Sequence, residues 1–260
     1  MTVRCVVVGV DGSVHADAAA EWAAEEALLT RAVLRVVHAG MPGAADQSAR
    51  TVRKLSATHP APAVDPVHTD GPPVRRLLEQ ARDADLLVLG VHGAGLRAGS
   101  VARAVAERCP GPVVLVPVRP SAEASRLMGR IAVGVDAPHP AERALEFAFE
   151  RARDRATGLR AIRAWKPPVP TGPLPPLEAD RATWEDQEVQ SLSDTLRPWE
   201  EKYPEVRVLE DVVLLPPERA LLLASERARL LVVGRRGQRL GPATTRLLAG
   251  TRAAVAVVPE

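Results

Sequence analysis

The chain of 260 residues carries one pattern twice. In the first half an apolar run, CVVVGVDGS, ends in Gly-Val-Asp at Asp11. A second, DLLVLGVHG, ends in Gly-x-x-Gly at Gly90 and Gly93, and a third, PVVLVPV, closes at Val118. In the second half IAVGVDAP reaches Asp136, LLVVGRRG reaches Gly234 and Gly237, and VAVVP closes at Pro259. Runs apolar on both faces are what strands inside a parallel sheet require, because helices cover both sides of such a sheet. Stretches rich in helix formers separate them, as in ADAAAEWAAEEALLTR from Ala16 to Arg31, with acids early and a base at the end. The first half reads as five strands alternating with four helices. Its third strand, Val64–His68, is less apolar, contains Pro66 and belongs near an edge. The second half repeats the plan, and such alternation implies a parallel sheet with helices on both faces.

Two domains follow, 1–119 and 131–260, with a polar linker over 120–130 that opens on Pro120. Each is long enough to bury its own core. The second contains WKPPVPTGPLPPLEAD, with six prolines in 16 residues, which can be neither helix nor central strand. A stiff connection explains it; a polyproline motif for a protein partner is the alternative.

Composition narrows the function. With 34 Lys+Arg against 32 Asp+Glu the formal charge is only +2, and the arginines are scattered, so nucleic acid is not an expected partner. Aromatics are 3%, too few for base-stacking platforms. No stretch reaches the length of a membrane span, and MTVRCVVVGVDGS leads straight into a strand rather than a signal peptide. The expected location is the cytoplasm. Cys5 and Cys109 make neither a disulfide framework nor a metal set.

In doubly wound sheets ligands bind beyond the carboxyl ends of the strands, where the strand order reverses. Asp11-Gly12-Ser13 ends the first strand there, and Gly90 to Ser100 (GVHGAGLRAGS) ends the fourth. Glycines let backbone N–H groups approach a phosphate. Gly99-Ser100 immediately precedes a helix, whose first amides are unsatisfied donors with a positive dipole. The Ser100 hydroxyl either caps that helix or bonds a phosphate oxygen. The stretch is neither a dinucleotide fingerprint nor a Walker A loop, and a glycine-rich strand–helix turn would look the same.

In these motifs the chain is similar to tandem universal stress proteins of the actinobacterial kind. The likeness covers almost the whole chain: VVVGVDGS, EWAAEEA, LRVVHA, DLLVLGVHG and GSVARAVAERCPGPVVLVPV in the first domain, and IAVGVDAP, LLVVGRRG and VAVVP in the second. It implies two flavodoxin-like α/β domains, each a five-stranded parallel sheet in the order 3-2-1-4-5, meeting at their closing strands as separate sheets. Some members bind ATP through G-x2-G-x9-G-[Ser/Thr]; others lack the motif and do not. The resemblance assigns Asp11 and the Ala39 backbone to base and sugar, Gly90 and Gly93 to sugar and phosphates, and Gly99 and Ser100 to phosphates. It implies ATP, with or without Mg²⁺, as the ligand, pairing of the two domains within the chain, and a homodimer.

The departures lie in the loops. Only five residues separate Gly93 from Gly99, where the family pattern has nine. In the second domain Asp-Gly-Ser has become Asp136-Ala137-Pro138, and the helix opens on Gly241-Pro242. Proline supplies neither hydroxyl nor N–H, so the second site reads as degenerate. Arg235, Arg236 and Arg239 read as solvated surface residues, or else as an anion attractor. Asp11 and Asp136 could assist a metal bound with phosphates but are weak metal sites alone. His38 ends a strand with no evident Asp or Ser partner and reads as structural, and His92 sits within the loop. No base–nucleophile pair is present, so turnover beyond weak ATP hydrolysis is not expected. Two functions stay open: a stress-response regulator that binds an adenine nucleotide in domain one, or a scaffold that acts through protein partners without a nucleotide.

Overall fold

A computed structural model describes residues 4–40, 46–58, 63–91, 101–118, 129–167 and 178–260. Residues 92–100 of the loop expected over 90–100, residues 120–128 of the linker expected over 120–130, and most of the proline-rich stretch, 168–177, lie outside them.

The first half runs β1 (Cys5–Gly9), α1 (Val14–Thr30), β2 (Val33–Gly40), α2 (Asp46–Thr58), β3 (Val64–Asp70), α3 (Pro73–Gln80), β4 (Leu86–Val91), α4 (Val101–Arg108) and β5 (Val113–Pro117). The second runs β6 (Arg130–Gly134), α5 (Glu142–Asp154), β7 (Leu159–Ala164), α6 (Glu178–Lys202), β8 (Val208–Val213), α7 (Pro217–Ser225), β9 (Ala228–Arg235), α8 (Pro242–Gly250) and β10 (Ala254–Pro259).

Within each half the strand order is that expected, with β3 at an outer edge. The joint differs. The strands form one ten-stranded sheet, β3-β2-β1-β4-β5-β10-β9-β6-β7-β8. The closing strands do meet, but as a hydrogen-bonded antiparallel pair in mid-sheet, with Val257 opposite Val113 and Val255 opposite Leu115. Two separate sheets with separate cores are therefore corrected to one sheet with a continuous apolar layer on each face. One layer lies under α1, α2, α5 and α6 and joins Val8 and Val114 to Ile131 and Phe149. The other lies under α3, α4, α7 and α8 and joins Val7 and Leu115 to Leu231 and Val255. The physical reason is in the closing runs. β5 and β10 are buried along their whole length, and an apolar edge left unpaired would invite aggregation.

Helix α1 shows how local sequence builds this. Ser13 caps it, its hydroxyl accepting from the Ala16 N–H at 3.2 Å. Ala16, Ala19, Ala20, Ala23, Ala24 and Ala27 are all buried, a stripe of small side chains that lets the helix lie close on the sheet. Arg31, expected to end the helix as a basic residue of the last turn, instead terminates it. It adopts the left-handed conformation at φ 53°, with its N–H directed to the Ala27 and Leu28 carbonyls, a helix stop of the αL type. Against the same face lies Glu26, fully buried, whose carboxylate meets Arg151 at 2.6 Å and also Arg155, both from the second half.

Candidate functional site

The carboxyl ends of β1, β2 and β4 surround a cleft of about 190 Å³, lined by Asp11, Ser13, Ala39, Gly90, Pro73 and the first residues of α4, Val101 and Ala102, among others. Asp11, Ala39 and Gly90, three residues singled out from the sequence, thus come together at one opening. The other three, Gly93, Gly99 and Ser100, lie outside the described residues, as does His92.

The local geometry explains part of this set without a ligand. The Asp11 carboxylate accepts the Ser13 N–H at 3.0 Å, an Asx-type turn that leads through the left-handed Gly12, φ 82°, into the Ser13 cap. Gly90 is a glycine because α1 crosses it: a Cβ there would lie 2.2 Å from the His15 carbonyl oxygen. The same absence of a side chain brings the first turn of α1 and the end of β4 to one mouth. Asp11 remains exposed at that mouth.

His38 does not belong to the cleft. Its neighbours Val37 and Ala39 line it, so strand alternation turns His38 to the opposite face of the sheet. There it is buried and stacks on His68 with ring centroids 5.4 Å apart. The two Nδ1 atoms are 3.3 Å apart, and His68 Nε2 lies 3.2 Å from the Asp70 carboxylate. Burial, and then the His68 ring, hold the His38 pKa below the ordinary imidazole value against the opposite pull of Asp11. The missing signal was the parallel register that sets His38 beside His68; both sit two residues before the end of their strands.

The second domain has a larger cleft in the same place, about 420 Å³, reached by Asp136, Arg163, Gly234, Arg236, Arg239, Gly241 and Thr244. Its rim is occupied by the protein itself. Asp136, the counterpart of Asp11, takes Arg163 and Arg236 at 3.2 Å each. Arg163 also meets Glu188 at 2.7 Å, and Arg236 meets Glu260 at 3.0 Å and the His139 carbonyl. Arg163 stands where the first domain has His38, and Arg236 where it has His92. The N-cap of α8 is Gly241, without a side-chain cap bond, and Pro242 follows at the first helical position. That turn offers an anion fewer donors than a Gly-Ser pair would.

The reading of Arg235 as a solvated residue is corrected. It is 7% exposed. Its guanidinium donates to the Glu107 carbonyl at 2.7 Å, the Cys109 carbonyl at 2.6 Å and the Gly237 carbonyl. Arg239 is exposed, as expected. Among the described residues there is no group of three or more His, Cys, Asp or Glu side chains poised for a metal ion, and no helix is long and apolar enough to cross a membrane.

Comparison with known proteins agrees with this architecture. The model of the Universal stress protein family matches residues 2–53, 41–117 and 128–259. A universal stress protein of Mycobacterium tuberculosis is 30% identical over 260 residues, covering 90% of this chain and 86% of its own. A second from the same organism is 31% identical, covering 90% and 87%. Among solved structures, a universal stress protein from Archaeoglobus fulgidus superposes with a TM-score of 0.69 at 17% identity, covering 98% of each chain. The chain is a tandem member of the universal stress protein family.

Proposed function

We propose that the chain is a stress-response regulator that binds ATP in its first domain, through Asp11, the Ala39 backbone, Gly90, Gly93, Gly99 and Ser100, and that its second domain no longer binds nucleotide. The observation that carries this reading is the contrast between two equivalent clefts. In the first, Asp11, Ala39 and Gly90 line an opening at the switch point of the strands, where ligands of such sheets bind. In the second, the corresponding Asp136 is held by two arginines of the same chain. A nucleotide entering there would have to break both contacts and would meet Pro242 at the position that Ser100 holds in the first domain, leaving Thr244 as the hydroxyl at that helix start. The protein acts as a cytoplasmic binding module and not as a catalyst. His38 sits between two residues of the first cleft but points to the opposite face of the sheet, so it is out of line to take a proton from a nucleophile at the phosphates.

Calorimetric titration of the full chain with ATP tests this. Losing a hydrogen bond to a charged phosphate costs roughly 1.5–3 kcal/mol, about tenfold or more in affinity. Ser100→Ala should weaken binding by that order, while Gly241→Ala should leave it unchanged. Equal losses would mean that both domains bind. No binding by the parent protein would leave the scaffold reading, which the single continuous sheet favours.

A further inference from the structure

The antiparallel joint brings together two parts that a separate domain would keep apart. β9 lies two strands from β5 and runs opposite to it. The carboxyl end of β9, where the second domain's own loop begins, therefore lies beside the start of β5 and the end of α4. Arg235 occupies this place. Its two terminal nitrogens reach the Glu107 and Cys109 carbonyls, which belong to the C-terminal end of α4, where carbonyls lack partners inside the helix and the dipole is negative. No ion pair of Arg235 exists among the described residues, and its Nε is buried without a hydrogen bond. The helix end and the loop carbonyls, with the nearby Glu107 charge, are thus what offset the burial of this charge.

A charge buried this deeply indicates a requirement, and the joint is asymmetric in meeting it. The equivalent residue of the first domain is Val91, apolar and buried, so the first domain offers no such support to α8. The braced helix is the one with Gly99-Ser100 in front of it and with Val101 and Ala102 on the first cleft. The helix that opens on Pro242, where the first domain has Ser100, is left without such a brace. α4 has eight residues, too few to be stable on its own, and at about 1.5 Å per residue it spans about 12 Å from the braced end to the cleft. Loosening at Glu107 therefore reaches Val101 within about two turns of helix.

We propose that Arg235 is a positioning residue for the nucleotide site of the first domain, so that the second domain acts in binding as the support of helix α4. This rests on the assignment of ATP to the first domain. The test uses the full chain and three variants. Arg235→Met keeps bulk and removes the donors, Arg235→Lys keeps one charged donor, and Arg151→Met breaks the ion cluster on the other face of the sheet, away from α4. ATP affinity is measured by calorimetry and α4 amide protection by hydrogen exchange. Arg235→Met should expose the amides from Arg103 to Cys109 and weaken ATP binding about fivefold or more, as expected for coupling between sites. Arg235→Lys should fall between it and the parent. Arg151→Met should lower the unfolding midpoint and change neither reading. If Arg235→Met does not fold, the Lys variant is judged by the same two measurements. Parental protection and parental affinity in the Arg235 variants would overturn the inference and leave the nucleotide assignment standing. So would an equal loss of affinity in Arg151→Met, which would reduce the effect to general stability. A parent chain that binds no ATP would remove the assignment and this role together.

Discussion

Removing the carboxylate of Glu26 should be among the most damaging single changes in the protein. Glu26 is 0% exposed, and its two partners Arg151 and Arg155 have side chains exposed by only 9% and 8%. In Glu26→Ala both guanidinium groups stay buried and lose the charge between them; Asp154 at 3.6 Å and Glu150 at 3.8 Å offer Arg151 only long contacts in its place. Breaking a buried pair by deleting one partner costs about 3–5 kcal/mol. A chain of this size loses a few degrees for each kcal/mol, giving a thermal midpoint lower by roughly 10 °C. The assay is thermal and urea unfolding followed by tryptophan fluorescence. Trp22 lies on the same helix, with the Arg155 guanidinium 5.8 Å from its ring centroid, so the local signal and the global transition should move together. A second variant separates lost charge from lost packing. Combining Glu26→Leu, Arg151→Met and Arg155→Met removes all three charges at once and should cost less than Glu26→Ala alone. A single variant within about 1 kcal/mol of the parent, the range of an exposed ion pair, would refute the reasoning, as would a triple variant that is worse than the single one.

The lowered pKa of His38 makes stability depend on pH. The unfolded chain binds this proton more readily, so the contribution is complete above the ordinary value of about 6.5 and is lost as pH falls from there toward the folded pKa. His38→Gln should flatten the fall in urea midpoint on the acid side of neutrality; an unchanged slope would exclude His38 as its source. Gly90→Ala places a Cβ 2.2 Å from a backbone oxygen, which must move, at a cost of about 1–3 kcal/mol for overpacking; a midpoint equal to the parent's would show that α1 yields freely.

Strand order and most element positions were legible because they depend on apolar runs and their punctuation, which are local. Arg235, which was misread, and Glu26, which drew no reading, depend on partners far along the chain. Arg235 follows a glycine in GRRG and looks like a solvated turn residue; only the antiparallel joint, which no local pattern encodes, turns it into the cap of a helix in the other half. Glu26 sits in WAAEEA, where acids ordinarily mark a wet face. A helical count would have found it, since Ala16, Ala19, Ala20, Ala23 and Ala27 form a buried stripe and Glu26 lies three residues after Ala23. Even so, the count would not have named Arg151 and Arg155. The cleft was legible at Asp11 and Gly90 because strand ends of a doubly wound sheet converge at a known place, and at Ala39 through the family resemblance. The Arg163–Asp136–Arg236 cluster was not, because it joins three strand ends by side chains of unpredictable reach.

The pairing of β5 with β10 has a consequence for how such a chain can evolve. Two identical closing strands that pair antiparallel do so about a twofold axis, so the joint has the form of a self-complementary dimer contact. Fusing the halves into one chain makes that contact intramolecular, at an effective concentration set by the linker rather than by expression level. Dilution no longer separates the halves. More importantly, symmetry no longer binds them: in a homodimer a substitution appears on both sides at once, whereas here valine stands at position 91 and arginine at position 235. Division of labour between the halves becomes available within a single chain.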